Sequence, residues 1–188
     1  MWYNFYMKNT EKRQAIIKKL NMIYKKGYMP AREKEKYSEL HAEAVNCFGH
    51  ACFNLSNSNL DEFNCYIKDL KDFFRNFEVI GIQNYFKEAK NRIKQVGLNI
   101  EQSSLKEPIK KNQWKIAYYV MYDIFKGSDI HFMIQGKDGK WISKAGKSQE
   151  IEVFDKLPNV FHKDYELCGV YKVTNPYVKL DNEENLEM

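Results

Sequence analysis

The sequence predicts an α+β fold, with N-terminal helices packed on one face of a C-terminal antiparallel sheet. Up to about residue 97 the apolar residues recur at helical spacing, and from Trp114 onward they alternate or run continuously as strands do. The turn signal Lys137-Asp138-Gly139-Lys140 sits between two of these strand-like runs and marks an antiparallel hairpin. Helices followed by strands is the order of an α+β chain. At 188 residues the chain is long enough for a domain with a sizeable core.

The helices read as follows. Asn9 or Thr10 can cap a first helix whose apolar positions are Ile16, Ile17, Leu20, Ile23 and Tyr24, and Gly27 ends it. Pro30 fits the first turn of a second helix running to about Val45, with a run of charges on what reads as its solvated face. A break is expected at Asn46, a better cap than interior residue. A third helix spans Cys47 to Leu55, with Asn46 as N-cap and the polar run 56–59 as its stop. Asn59 and Glu62 form a capping box for the next, whose stripe is Leu60, Phe63, Ile67, Leu70, Phe74 and Phe77. The last helix runs from about Ile82 to Val96 and closes at Gly97.

Residues 98–113 are polar and irregular and read as the longest loop. Strands are expected over 114–122, 130–135, 141–144 and 165–173. The remaining stretch, 145–164, reads as loop, and residues 181–188 as an acidic, frayed tail.

Composition narrows the function classes. Hydrophobic residues make up 44% of the chain and aromatics 15%, which excludes a disordered polypeptide. The net charge of +5 comes from 30 basic residues interleaved with 25 acidic ones, which argues against a nucleic-acid-binding stripe. The four cysteines lack the paired short spacings of a disulfide framework or a zinc site, so free thiols and a reducing compartment are expected. No apolar run is long enough to span a membrane, and the aromatic start is too short for a signal-peptide core. No dinucleotide, phosphate-loop or zinc-peptidase motif is present, and no cofactor or metal is expected.

Cys47 is the candidate nucleophile. A thiol in the first turn of a helix sits at the positive end of the macrodipole, which favours thiolate, the attacking species. The competing reading makes Cys47 and Cys52 small core hydrophobes. In the strand over 130–135, Asp129, His131, Met133 and Gln135 share one face and Ile130, Phe132 and Ile134 the other. If the helix carrying Cys47 packs across that sheet, His131 can serve as its base. The competing reading is a sheet histidine with a water partner. The returning strand brings Ser143 near His131, where a polar group can hold the imidazole in one tautomer. His50 follows Cys47 on nearly the same helix face, but a base so close along one helix has poor geometry for the attack. His162 falls in a loop and carries no role.

Asn46-Cys47-Phe48-Gly49 opens a helix. Asp129-Ile130-His131-Phe132, then Asp138-Gly139-Lys140-Trp141, then Lys144-Ala145-Gly146 follow in order. This series resembles the papain-like cysteine hydrolases, most nearly the NlpC/P60-type branch and related bacterial and phage proteins. Members use an [ND]-C-x-[GA] helix start, and some carry a D-x-H-F…D-G-x-W-x-x-K-x-G hairpin. The match covers the Cys47 helix and roughly residues 114–173. The resemblance implies a papain-like fold over 46–180, preceded by a helical extension over 1–45. It implies Cys47 as nucleophile and His131 as base. The orienting residue, often His, Asn or Gln in such enzymes, falls at Ser143, with Gln135 as its rival. His41, six residues before Cys47, lies where papain-like enzymes commonly carry an oxyanion-hole side chain.

The expected activity is that of a cysteine-dependent peptidase or amidase with a Cys47–His131–Ser143 triad, acting on a peptide, isopeptide or side-chain amide bond. The same groups serve acyl transfer and deamidation. The alternative is a non-catalytic protein-binding module, such as a bacterial effector or phage protein docking on a host protein. The expected partner is a peptide or protein substrate, and the expected location a cytoplasm, the protein's own or a host's.

Overall fold

A computed structural model describes residues 2–29, 36–53, 55, 70, 71, 73, 74, 82–123, 127–162 and 164–179. The fold is α+β, with an antiparallel sheet of seven strands.

Helix α1 spans Trp2–Lys25, so it begins well before the caps expected at Asn9 or Thr10. It ends where expected: Gly27 adopts φ +84° and its N–H donates to Tyr24 O at 2.9 Å. Ile16, Leu20 and Tyr24 form its buried stripe.

The long second helix is corrected to a short one, α2, Glu39–Ala44. Ser38 caps it, its hydroxyl accepting from the His41 N–H at 3.2 Å. The segment before it is drawn into tertiary bonds instead of helix. The Tyr37 N–H donates to Gln149 O at 3.0 Å and its hydroxyl to Leu55 O at 2.6 Å. Residues 30–35 lie outside the described residues.

The break at Asn46 is present, with Val45 extended at φ −109°, ψ 115°. Cys47 and Phe48 are helical and lead into a π-helical turn, Gly49–Phe53. Asn46 caps it by accepting from the Gly49 N–H at 3.0 Å. Most of the helix expected from Asn59 lies outside the described residues, as does the acidic tail; 70, 71, 73 and 74 are helical. Helix α3, Ile82–Gln95, closes at Gly97, where φ is +87° and the Leu98 N–H donates back to Ile93 O at 3.3 Å.

The strands are β1 (Asn99–Ser103), β2 (Gln113–Asp123), β3 (Gly127–Gln135), β4 (Trp141–Lys144), β5 (Ile151–Phe154), β6 (Val160–Phe161) and β7 (Tyr165–Thr174). Their order is β1-β7-β2-β3-β4-β5, with β6 also pairing β7. Two stretches expected as loop therefore hold strands. β1 pairs only with β7, and its residues are polar enough to hide the pattern. β5 and β6 are too short for periodicity to register. The β3–β4 turn is as expected, with Gly139 at φ +83°.

Alternation along the central strands separates two apolar clusters. Ile116, Tyr118, Val120, Phe132 and Ile134 belong to the one that contains Leu20, Tyr24, Phe48 and Phe74. Ala117, Tyr119 and Met133 belong to the other, with Trp141, Phe161 and Val170. The first cluster includes α1, which stacks Tyr24 on Trp114 with centroids 6.5 Å apart.

Candidate active site

Asn46 holds the Cys47 turn from both sides. Its Oδ1 caps the turn, and its amide donates to Phe74 O at 3.0 Å. Phe48 then seats against Phe132 of β3, with centroids 5.5 Å apart. Together these contacts bring Cys47 against β3, where its Sγ approaches Ile130 O at 3.9 Å.

The state of this thiol differs from the helix-start expectation. Burial pushes Cys47 up from its ordinary 9.0 to about 11; the Phe132 and Phe48 N–H groups at the sulfur pull the other way, and nearby Asp129 adds to the rise. The turn is too short to build much dipole, and desolvation wins.

Cys47 is only 8% exposed but lines an open cleft of about 400 Å³. Asn46, Asp129, Ile130, His131, His162 and Tyr165 line it too. Ala145 and Gly146 also line it.

His131 is held on several sides. Its Nε2 is 2.9 Å from Ser143 Oγ. Its ring stacks on Phe161, centroids 4.5 Å apart and planes 16° apart, and meets Tyr165 edge-on at 6.0 Å. With Nε2 engaged by Ser143, Nδ1 is the ring nitrogen left for proton transfer. Burial lowers its pKa from 6.5 to about 3, so the imidazole is neutral near pH 7. Ser143 reaches His131 because Met133 of β3 lies directly opposite Ser143 of β4, and His131 is the next residue on that face. The Gln135 amide donates instead to Gly139 O at 3.1 Å, within the hairpin.

Alternation in β3 turns Ile130 and Phe132 toward the Cys47 turn and His131 toward the Phe161 side. Cys47 and His131 share the cleft from opposite faces of that strand.

The remaining histidines divide. His41 is buried in α2 and is not among the described residues that line the cleft. His50 is buried behind Cys47 with its Nδ1 3.0 Å from the Tyr37 hydroxyl. That hydroxyl donates to Leu55 O, so it accepts from the Nδ1–H, and His50 Nε2 is left without a partner. Burial also lowers the His50 pKa to about 3. His162, given no role from sequence, lines the cleft at φ +47° with Nε2 3.1 Å from Glu152 Oε2.

Sequence reasoning missed a second pair at the site. The Tyr165 hydroxyl donates to Asp129 Oδ2 at 2.7 Å, and the Ile130 N–H donates to Asp129 Oδ1 at 2.8 Å. Burial and the Asp129 carboxylate hold the Tyr165 phenol above its ordinary range. The pair depends on how β7 meets β3 across β2, which no local pattern encodes. Among the described residues no group of His, Cys, Asp and Glu is arranged to hold a metal ion, and no helix is long and apolar enough to cross a membrane.

No protein-family model, curated protein or solved structure matches the chain.

Proposed function

We propose that the cleft carries cysteine-dependent acyl chemistry, with Cys47 as nucleophile, His131 as base and Ser143 as the positioning residue. One observation carries the reading: Cys47 lines an open cleft together with a histidine whose Nε2 is bonded to Ser143. A papain-like arrangement, with the N-terminal helices on one face of the sheet, belongs to the same proposal. It is supported by Tyr24 on Trp114, Phe48 on Phe132 and Phe86 on Tyr118.

In this mechanism the thiol and imidazole begin neutral, so proton transfer accompanies attack and does not precede it. Sγ bonds to the substrate carbonyl carbon while its proton passes to His131 Nδ1. The imidazolium returns the proton to the leaving amine as the C–N bond breaks, leaving a thioester on Cys47. Water then attacks with His131 as base and frees the acid; an amine in its place gives acyl transfer. The substrate is an amide, in a peptide or a side chain. Free Cys47, Cys52 and Cys168 fit a reducing compartment such as a cytoplasm.

A second reading, a binding module whose Cys47 is only a packed thiol, is favoured by the raised thiol pKa and by the opposite faces that Cys47 and His131 take on β3. p-Nitrophenyl acetate separates the two. The enzyme releases a burst of one nitrophenolate per chain as Cys47 is acetylated, and Cys47→Ala and His131→Ala each abolish it. Release that survives Cys47→Ala would sink the catalytic reading.

A further inference from the structure

The cleft is lopsided in charge. Asp129 is the one carboxylate among the described residues that line it, and none of those residues is a lysine or arginine. Lys144, whose charge is felt at Cys47, is fully buried and donates to Ala42 O and Gly146 O, so it is not among the described residues that line the cleft. His131 and Cys47 add no charge near pH 7, since burial keeps the one deprotonated and the other protonated.

Asp129 is also fixed in place. Tyr165 donates to one oxygen and the Ile130 N–H to the other, so the carboxylate cannot swing away. Each of these bonds uses one lone pair of its oxygen and leaves another. Both donors are neutral, so the negative charge is oriented but not cancelled.

We infer that the cleft selects substrates bearing a cationic nitrogen, which Asp129 receives while Cys47 meets the neighbouring carbonyl. Asp129 is then a specificity residue. The inference rests on the acyl-chemistry reading and names its substrate class: a peptide or amide with a lysine-like side chain or a free amino terminus close to the bond attacked. Asp129 is exposed to solvent, so a cation a few ångströms from it gains a screened attraction, enough for up to about tenfold in selection. A substrate with a carboxylate at that point meets repulsion of the same order.

The test uses four chloromethyl ketones with one reactive group, derived from acetyl-lysine, acetyl-alanine, acetyl-glutamate and alanine with a free amine. The Cys47 thiolate displaces chloride and forms a thioether, which is read by mass at Cys47. The acetyl-lysine or the free-amine probe should react about tenfold faster than acetyl-alanine, and acetyl-glutamate should be slowest. The faster of the two cationic probes identifies the side chain or the terminus as the source of the nitrogen. Asp129→Asn should bring all four within about twofold, because it keeps the shape and removes the charge. An order unrelated to charge, an order that survives Asp129→Asn, or no reaction of the folded protein overturns the inference. His131→Ala distinguishes this from the catalytic reading. It slows all four probes alike if His131 is the base. Unchanged rates with the charge order intact would refute the base and keep the selection.

Discussion

At the scale of single residues, the buried pair defines what pH does to the protein. His131 and His50 both fall from 6.5 to about 3 on folding. Between those values the unfolded chain binds protons that the native state refuses, so stability is full above 6.5 and drains away as pH falls toward 3. Urea midpoints measured across that window should decline, and His131→Asn should flatten part of the slope while keeping a partner for Ser143. A slope untouched by the substitution would mean that His131 is protonated in the native state. Cys47 titrates at the other end: its reaction with iodoacetamide should climb through pH 9 and level near 11. A plateau below neutral would reveal a thiolate that the surroundings of this thiol do not favour. The third residue of the site is tested by rate. Ser143→Ala should slow the nitrophenolate burst by about tenfold or less, since a hydroxyl hydrogen bond contributes modestly. Gln135→Ala should do less, because that amide serves the hairpin.

At the scale of elements, the Cys47 turn depends on a close fit between Gly49 and the aromatic cluster. A Cβ on Gly49 would stand 3.0 Å from both Phe74 Cγ and Val45 Cγ1, and neither can withdraw from the core. Gly49→Ala should therefore cost about 1–3 kcal/mol, and Phe74→Ala about 3–5 kcal/mol. Phe74 is fully buried against Phe48, Phe53 and Phe73, and thermal unfolding of both variants reads the cost. A loss below about 1 kcal/mol for Phe74→Ala would mean that the neighbours collapse into the space. The same elements show what sequence encodes. The Asn46 cap was legible because capping is local chemistry, and β2, β3 and β4 because alternation is. The π-helical form of Gly49–Phe53 was not, since five residues cannot distinguish one helical period from another. β1 escaped because a polar strand at a sheet edge carries no apolar alternation. His131 beside Ser143 follows from one hairpin register. Phe161 on His131 and Tyr165 on Asp129 follow from pairings across the sheet, which a local reading does not reach.

At the scale of the whole molecule, α1 is built into the core that carries the site. Its Leu20 and Tyr24 are fully buried, and the Tyr24 hydroxyl donates to Phe53 O at 2.9 Å, at the end of the Cys47 turn. The C-terminal end of α1 is held from the far end of the sheet. Buried Asn175, just after β7, donates to Tyr24 O at 3.1 Å and to Tyr28 O at 2.8 Å. Its own N–H donates to Asn112 O at 2.9 Å, before β2. One residue thus ties the end of α1 to the loop before β2 and the end of β7. Asn175→Ala should cost about 1–3 kcal/mol, since it removes two hydrogen bonds from a fully buried side chain. Asn175→Asp should cost more, because it sets a carboxylate against those carbonyl oxygens. Deleting residues 1–28 would open the Trp114 and Phe53 side of the core, and the remainder should lose its cooperative unfolding transition. A shortened chain that still unfolds cooperatively, close to the temperature of the full chain, would show that α1 is an appendage and that the site is supported by the sheet and the Cys47 turn alone.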